Sequence, residues 1–203
     1  VRGVAELPAS YNIAPTQPIV AIRQAPEGDE REAVWLRWGL IPSWAKDVAG
    51  MPLLINARSE TAAVKPAFRT ALRRRRCLVP ADGFYEWQQA DGRKQPFHMR
   101  RRDGAPFALA GLWERWEGSE GCVDSCAILT TAANELMRSI HDRMPVILDP
   151  PDFELWLDPG AQDVELIQSL LRPYPAEGMI AYPVSLAVNN ARNNDPQCIL
   201  PLE

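Results

Sequence analysis

The sequence predicts an α+β domain built on a curved, mostly antiparallel, barrel-like β core with short peripheral helices. Three observations predict it. Strand-like segments outnumber helical ones and do not alternate strictly with them, which argues against a doubly wound parallel sheet. The 19 prolines are spread along the whole chain, so helices must be short and turns frequent. No repeat and no biased linker divides the 203 residues, which at 46% hydrophobic content can bury a proper core, so residues 1–203 are expected to form a single domain.

The strands expected in chain order are PIVAIR (18–23), AVWLRW (33–38), RCLVPA (76–81), GFYEWQ (83–88), PFHMRR (96–101), FALAGLWERW (107–116), SCAILTT (125–131) and MPVILD (144–149). Most mix β-branched or aromatic residues with turn-forming flanks. Helices are expected at KPAFRTALRRR (65–75), AANELMRSI (132–140), PPDFELWLD (150–158) and AQDVELIQSLLRP (161–173). The second follows Thr130 and Thr131 as possible caps. The third follows Asp149, with Pro150 near its first turn and an apolar stripe of Phe153, Leu155, Trp156 and Leu157.

Composition narrows the class. No apolar run approaches the length that crosses a bilayer, so no membrane partner is expected. Four irregularly spaced cysteines do not form a disulfide framework, and Cys122 with Cys126 is at best half of a zinc site. A reduced, cytoplasmic monomer without cofactor or metal is the expectation. The formal net charge is −4, yet residues 56–102 hold 12 Lys+Arg against 4 Asp+Glu, a local excess of +8. That polarity is suited to a polyanion, although the arginine run 73–76 also suits the negative end of a helix dipole.

Three polar residues stand in stretches that read as buried: Asn56 in PLLINARSE, Glu86 between Tyr85 and Trp87, and His141 in SIHDRMPVIL. Each admits a plain structural role. Asn56 would steady a turn, Glu86 would pair with Arg58 or Arg143, and His141 would be a satisfied core or capping histidine. No G-x-S-x-G elbow, phosphate-cradling glycine loop or H-E-x-x-H is present. Seven tryptophans beside a basic stretch suit stacking on a single-stranded nucleic acid, though Trp113, Trp116 and Trp156 read as core.

Eight blocks in order carry a resemblance: YNIAPTQ (11–17), WGLIPSWAKD (38–47), INARSETA (55–62), RCLVPADGFYEW (76–87), ALAGLWE (108–114), ILTTAAN (128–134), IHDRMPVIL (140–148) and PVSLAVNN (183–190). Together they resemble the SRAP family of SOS-response-associated peptidase-like proteins. The resemblance implies an SRAP-type barrel-like domain that processes abasic sites in single-stranded DNA through a covalent DNA–protein crosslink. In the family the nucleophile is an N-terminal cysteine, exposed by self-removal of the initiator methionine, whose amine and thiol close on the sugar aldehyde as a thiazolidine. By the same resemblance Asn56 would hold that amine and Glu86 would orient and deprotonate it. His141 would be the general acid/base on the sugar, where the near-neutral pKa of an ordinary histidine is an advantage. Arg58 would bind phosphate, Trp87 with Pro15 would wedge at the abasic gap, and Trp38 and Trp44 would line the groove. The arginine run would add positive field to that groove.

One departure matters. The sequence opens VRGVAELPASYN, without the family's Cys-Gly-Arg and without a cysteine ahead of Cys77. A thiazolidine needs both groups on one residue, so no internal cysteine can substitute, and Cys77 reads as a small buried hydrophobe. A native N-terminal segment beyond these residues is therefore expected. The alternative is a non-covalent binder of single-stranded or damaged DNA. A general peptidase has no readable catalytic geometry here.

Overall fold

A computed structural model describes residues 2–3, 7–26, 28, 30–90, 92–118 and 121–202. The strands are β1 (Arg2–Gly3), β2 (Pro18–Gln24), β3 (Arg31–Trp38), β4 (Asn56–Arg58), β5 (Arg76–Ala81), β6 (Gly83–Ala90), β7 (Arg93–Arg101), β8 (Phe107–Gly118), β9 (Gly121–Ala132), β10 (Arg143–Pro145) and β11 (Met179–Pro183). Four short helices accompany them: α1 (Ser59–Ala62), α2 (Arg69–Arg74), α3 (Phe153–Leu157) and α4 (Val164–Ser169).

Five strands close on themselves. β2 pairs antiparallel with β3 and with β5, β5 with β8, and β8 with β9. β3 then meets β9 in parallel, at Arg37 opposite Ser125 and Trp38 opposite Cys126, which shuts the barrel. Strand alternation sorts the side chains onto its two faces. Ile19, Ala21, Cys77, Val79, Trp113, Cys126 and Ile128 share one core cluster. Their neighbours Leu78, Ala110, Leu112, Ala127 and Leu129 join a second, which includes residues of α2, α3 and α4 such as Leu72, Trp156 and Ile167.

β6, β7 and β11 form a separate antiparallel sheet in the order β11–β7–β6. Phe84, Phe97 and Met99 pack toward the barrel-side cluster. Tyr85, Trp87 and Tyr182 face the other way, onto Val184, Val188, Cys198 and Tyr11. Gly83 starts this sheet because a Cβ there would lie 2.3 Å from His98 Nε2 and 2.5 Å from the Met99 carbonyl oxygen.

Several expected elements change. The helix expected at 132–140 is only a 3-10 turn over Met137–Ser139, because β9 runs on to Ala132 and holds Thr130 and Thr131 in extended backbone. The turn is capped instead by Asn134, whose Oδ1 accepts the Met137 N–H at 3.0 Å. Of the expected last strand, 144–149, only Met144 and Pro145 fall in a strand, β10 (Arg143–Pro145), and Asp149 makes no side-chain cap. Trp113 and Trp156 are core as expected, whereas Trp116 is half-buried and donates Nε1–H to the Ala45 carbonyl at 2.8 Å. Cys122 and Cys126 stand four residues apart on β9, about 13 Å at strand rise, too far to share a metal ion. No helix is long and apolar enough to cross a membrane among the described residues.

Candidate nucleic-acid interface and reactive cluster

Glu86 is placed by register. Tyr85 and Trp87 point to the outer cluster, so Glu86, one step out of phase, faces the barrel side together with Phe84 and Gln88. On that side Gln88 Nε2 donates to the Ser139 carbonyl at 2.7 Å, which docks β6 against the turn leading to His141. Glu86 and His141 are thereby brought within electrostatic reach of each other. Partial burial, the largest influence, holds the Glu86 carboxyl above the usual carboxylate range. The charge of His141 and a hydrogen bond from the Trp87 backbone pull it back, and Asp142 pushes it slightly upward.

His141 is accessible, its side chain 40% exposed. The Arg143 backbone N–H donates to its Nδ1 at 3.0 Å. The Arg143 carbonyl at 3.2 Å and Asp142 Oδ1 at 3.4 Å also lie near Nδ1. A peptide N–H can only donate, so the shorter contact makes Nδ1 the acceptor of the neutral ring and leaves the exchangeable proton on Nε2. The two oxygens become partners when the ring is protonated.

β4 supplies the next pair. It runs parallel to β9, with Asn56 opposite Ile128 and Arg58 opposite Thr130. Ala57 is fully buried between them, and Asn56 and Arg58 project together into solvent. Asn56 was expected to be buried; three residues of strand at the sheet surface leave it exposed instead. The link between β4 and His141 is Arg143. Its guanidinium makes a two-pronged ion pair with Glu60 of α1, at 2.7 and 2.9 Å, and donates to the Thr130 carbonyl at 2.6 Å. Arg143 holds the Glu60 carboxyl below the usual range. The structural alternative for Glu86, a pairing with Arg143, is thus not the one formed.

Pro15 lies on a separate turn, and the Trp87 ring lies on the outer face of β6, opposite Glu86. Ala14 to Gln17 form a turn closed by Gln17 N–H to the Ala14 carbonyl at 3.1 Å, with Pro15 at its second position. Thr16 follows at φ 76°, the one non-glycine residue with positive φ among the described residues. The turn is fixed to Trp38 by Thr16 N–H to the Trp38 carbonyl at 2.7 Å and Trp38 N–H to the Gln17 carbonyl at 3.0 Å. Trp38 in turn donates Nε1–H to the Ile55 carbonyl at 3.0 Å, immediately before Asn56. Its half-buried ring packs on the core, so Trp38 joins the Pro15 turn to β4. Trp87 donates Nε1–H to Asn189 Oδ1 at 2.7 Å. Trp44 stands outside these contacts; it is 61% exposed on the loop after β3, with only a long 3.5 Å contact to the Pro66 carbonyl.

The arginine run does not act as a unit. Arg76 is 3% exposed and donates to the carbonyls of Trp156, Leu72, Arg73, Asp158 and Ala161. It caps the C-terminal end of α2 and ties it to the chain after α3. Burial lowers its pKa to about 10, which still leaves it charged at neutral pH. Arg75 pairs with Glu114 at 2.5 Å. Only Arg73 and Arg74 stay exposed to contribute surface field. The expectation that all four belong to a DNA-facing surface is therefore corrected: two of them hold the fold.

Sequence reasoning did not single out Glu60, Gln88, Asn12 or Asn189, all of which position site residues. Their partners lie far away in the chain, and no local spacing signals them. The described N-terminal residues Arg2 and Gly3 pair with Glu32 and Ala33 of β3. That is six residues from Trp38, about 20 Å along the strand.

A closed five-strand barrel carrying a second small sheet, with Glu86 near His141 and an exposed Asn56–Arg58 pair on β4, defines an α+β protein. The chain belongs to the SOS response associated peptidase (SRAP) family, whose model matches residues 2–191. It is 47% identical over 192 residues to the abasic site processing protein YoqW of Bacillus subtilis, covering 94% of this chain and 85% of that one. It is 35% identical over 225 residues to the abasic site processing protein HMCES of Gallus gallus, covering 96% of this chain and 66% of the relative. A crystal structure of a protein from Bacteroides thetaiotaomicron superposes with a TM-score of 0.80 at 32% identity, covering 93% of this chain and 82% of that one. One from Bordetella bronchiseptica gives 0.78 at 36% identity, covering 90% of each.

Proposed function

We propose that this protein processes abasic sites in single-stranded DNA by forming a covalent DNA–protein crosslink. The observation that carries the reading is the placement of a half-buried Glu86 carboxyl, raised above its ordinary range, opposite an accessible His141. A carboxyl whose burial favours its proton-bearing form, set beside an accessible imidazole, supplies the proton-transfer groups that aldehyde capture needs. The amine of an N-terminal cysteine, a residue the 203-residue sequence does not itself contain, attacks the ring-opened sugar aldehyde. Loss of water gives an imine, and addition of the same residue's thiolate to the imine carbon closes a thiazolidine. Glu86 takes the amine proton, Asn56 holds the amine through its exposed carboxamide, and His141 Nε2 exchanges protons with the sugar oxygens. Arg58 neutralises a phosphate, and Pro15 with Trp87 fills the space of the missing base.

Untagged protein expressed from its own gene, mixed with single-stranded DNA bearing one abasic site, tests this on a denaturing gel. A slower, detergent-resistant band is expected, absent with intact DNA. No such band at protein concentrations well above the binding constant overturns the covalent reading.

A second reading has one observation in its favour: Arg2 and Gly3 pair with Glu32 and Ala33 of β3, about 20 Å along that strand from Trp38. It is a non-covalent groove for single-stranded DNA, which would give salt-sensitive binding without a crosslinked band.

A further inference from the structure

Resting on the proposed reading, we infer that Asn12 and Asn194 form a clasp that positions the two residues proposed to grip the abasic gap, Pro15 and Trp87. The two carboxamides sit where the arm leading to Pro15 crosses the C-terminal segment beneath Trp87. Asn12 is 8% exposed, and its Nδ2 group is shared among the carbonyls of Val188 at 3.1 Å, Asn190 at 3.3 Å and Asn193 at 3.0 Å. Asn194 Oδ1 accepts in return from the backbone N–H of Tyr11 at 2.6 Å and Asn12 at 3.0 Å, and from Ser10 Oγ at 3.2 Å. The same segment presents Asn189, whose Oδ1 fixes the Trp87 indole. Displacing the C-terminal segment therefore displaces the Pro15 arm and the Trp87 ring together.

The clasp has a polarity that can be read out. Asn194 works as an acceptor, a task a carboxylate also performs. Asn12 works as a donor to carbonyls, a task a carboxylate cannot perform and would oppose. The two residues touch, so a negative charge at either lies at nearly the same distance from bound DNA. The repulsion from phosphate is common to both and cancels in their comparison.

The test uses the full-length protein with Asn194→Asp, Asn194→Ala, Asn12→Asp and Asn12→Ala. Two quantities are measured: amide hydrogen exchange at positions 11 and 12, and the ratio of affinities for abasic over intact single-stranded DNA. Asn194→Asp is expected to keep both within two-fold of the parent. Asn194→Ala and Asn12→Ala should speed exchange at least ten-fold and cut the ratio at least five-fold, with affinity for intact DNA within two-fold. Asn12→Asp should be at least as damaging; if it does not fold, Asn12→Ala carries that arm. Equal tolerance of Asn12→Asp and Asn194→Asp, or alanine variants that change neither quantity, would overturn the clasp. A parent protein that does not distinguish abasic from intact DNA overturns the proposed function instead, while the exchange pattern still decides the clasp.

Discussion

A single residue step on β6 sends Tyr85 and Trp87 to the outer cluster and leaves Glu86 on the side of His141, where burial disfavours its ionised form. With its folded pKa above the unfolded one, the native state binds more protons, so stability falls as pH rises from the ordinary carboxylate range through the folded value. Glu86→Gln should therefore raise stability at pH 7 by about 0.5–2 kcal/mol while abolishing crosslinking, the usual trade between stability and activity. The gain should shrink as pH falls below the ordinary carboxylate range, where the carboxyl is protonated in folded and unfolded chains alike; urea melts at pH 7 and at acid pH check it. The Arg58 side chain makes no hydrogen bond among the described residues and is exposed. Arg58→Ala should weaken binding to all single-stranded sequences alike and reduce the salt slope by about 1, measured by titration at several salt concentrations.

Turns and caps account for most of the differences between expectation and structure among the elements. The Pro15–Thr16 turn holds a β-branched residue at φ 76°, a conformation that costs on the order of 1–3 kcal/mol and is kept by its two hydrogen bonds to Trp38. Thr16→Asn, a residue that tolerates this conformation, should raise the stability of the protein by about 1 kcal/mol in thermal melts. Arg76 shows the converse, a charge that belongs to the interior. Arg76→Ala leaves several carbonyls between α2 and α3 without their donor and should cost about 3 kcal/mol or more in chemical denaturation. The affinity of the folded variant for DNA should not change, because Arg76 has almost no surface. β5 was legible to the residue because Cys77, Leu78 and Val79 form an unbroken apolar run between an arginine and a proline. β4 was not, since Asn56–Arg58 borrows its strand character from β9 rather than from its own three residues.

For the molecule as a whole, fold class and most strands could be read from alternation, while the closure of the barrel could not. β3 and β9 meet in parallel through two residue pairs whose partners are distant in sequence, and no local pattern encodes that contact. The site divides in the same way. Asn56, Glu86 and His141 could be named from ordered family blocks, but the ties that assemble them, Arg143 to Glu60 and Gln88 to Ser139, exist only in three dimensions. The charge asymmetry was a partial guide. Exposed Lys65, Arg69, Arg73, Arg74, Arg93 and Lys94 keep a positive surface, whereas Arg75, Arg76 and Arg101 are engaged in ion pairs or buried hydrogen bonds. Glu86 and His141 share one electrostatic environment, in which burial raises the carboxyl and the histidine charge lowers it. The most direct test of this is the titration of the Glu86 side-chain carboxyl by carbon NMR, in the parent protein and in His141→Ala. The midpoint is expected above the ordinary carboxylate range and should move further up when the histidine charge is removed. A midpoint within the ordinary range, unmoved by the substitution, would contradict it.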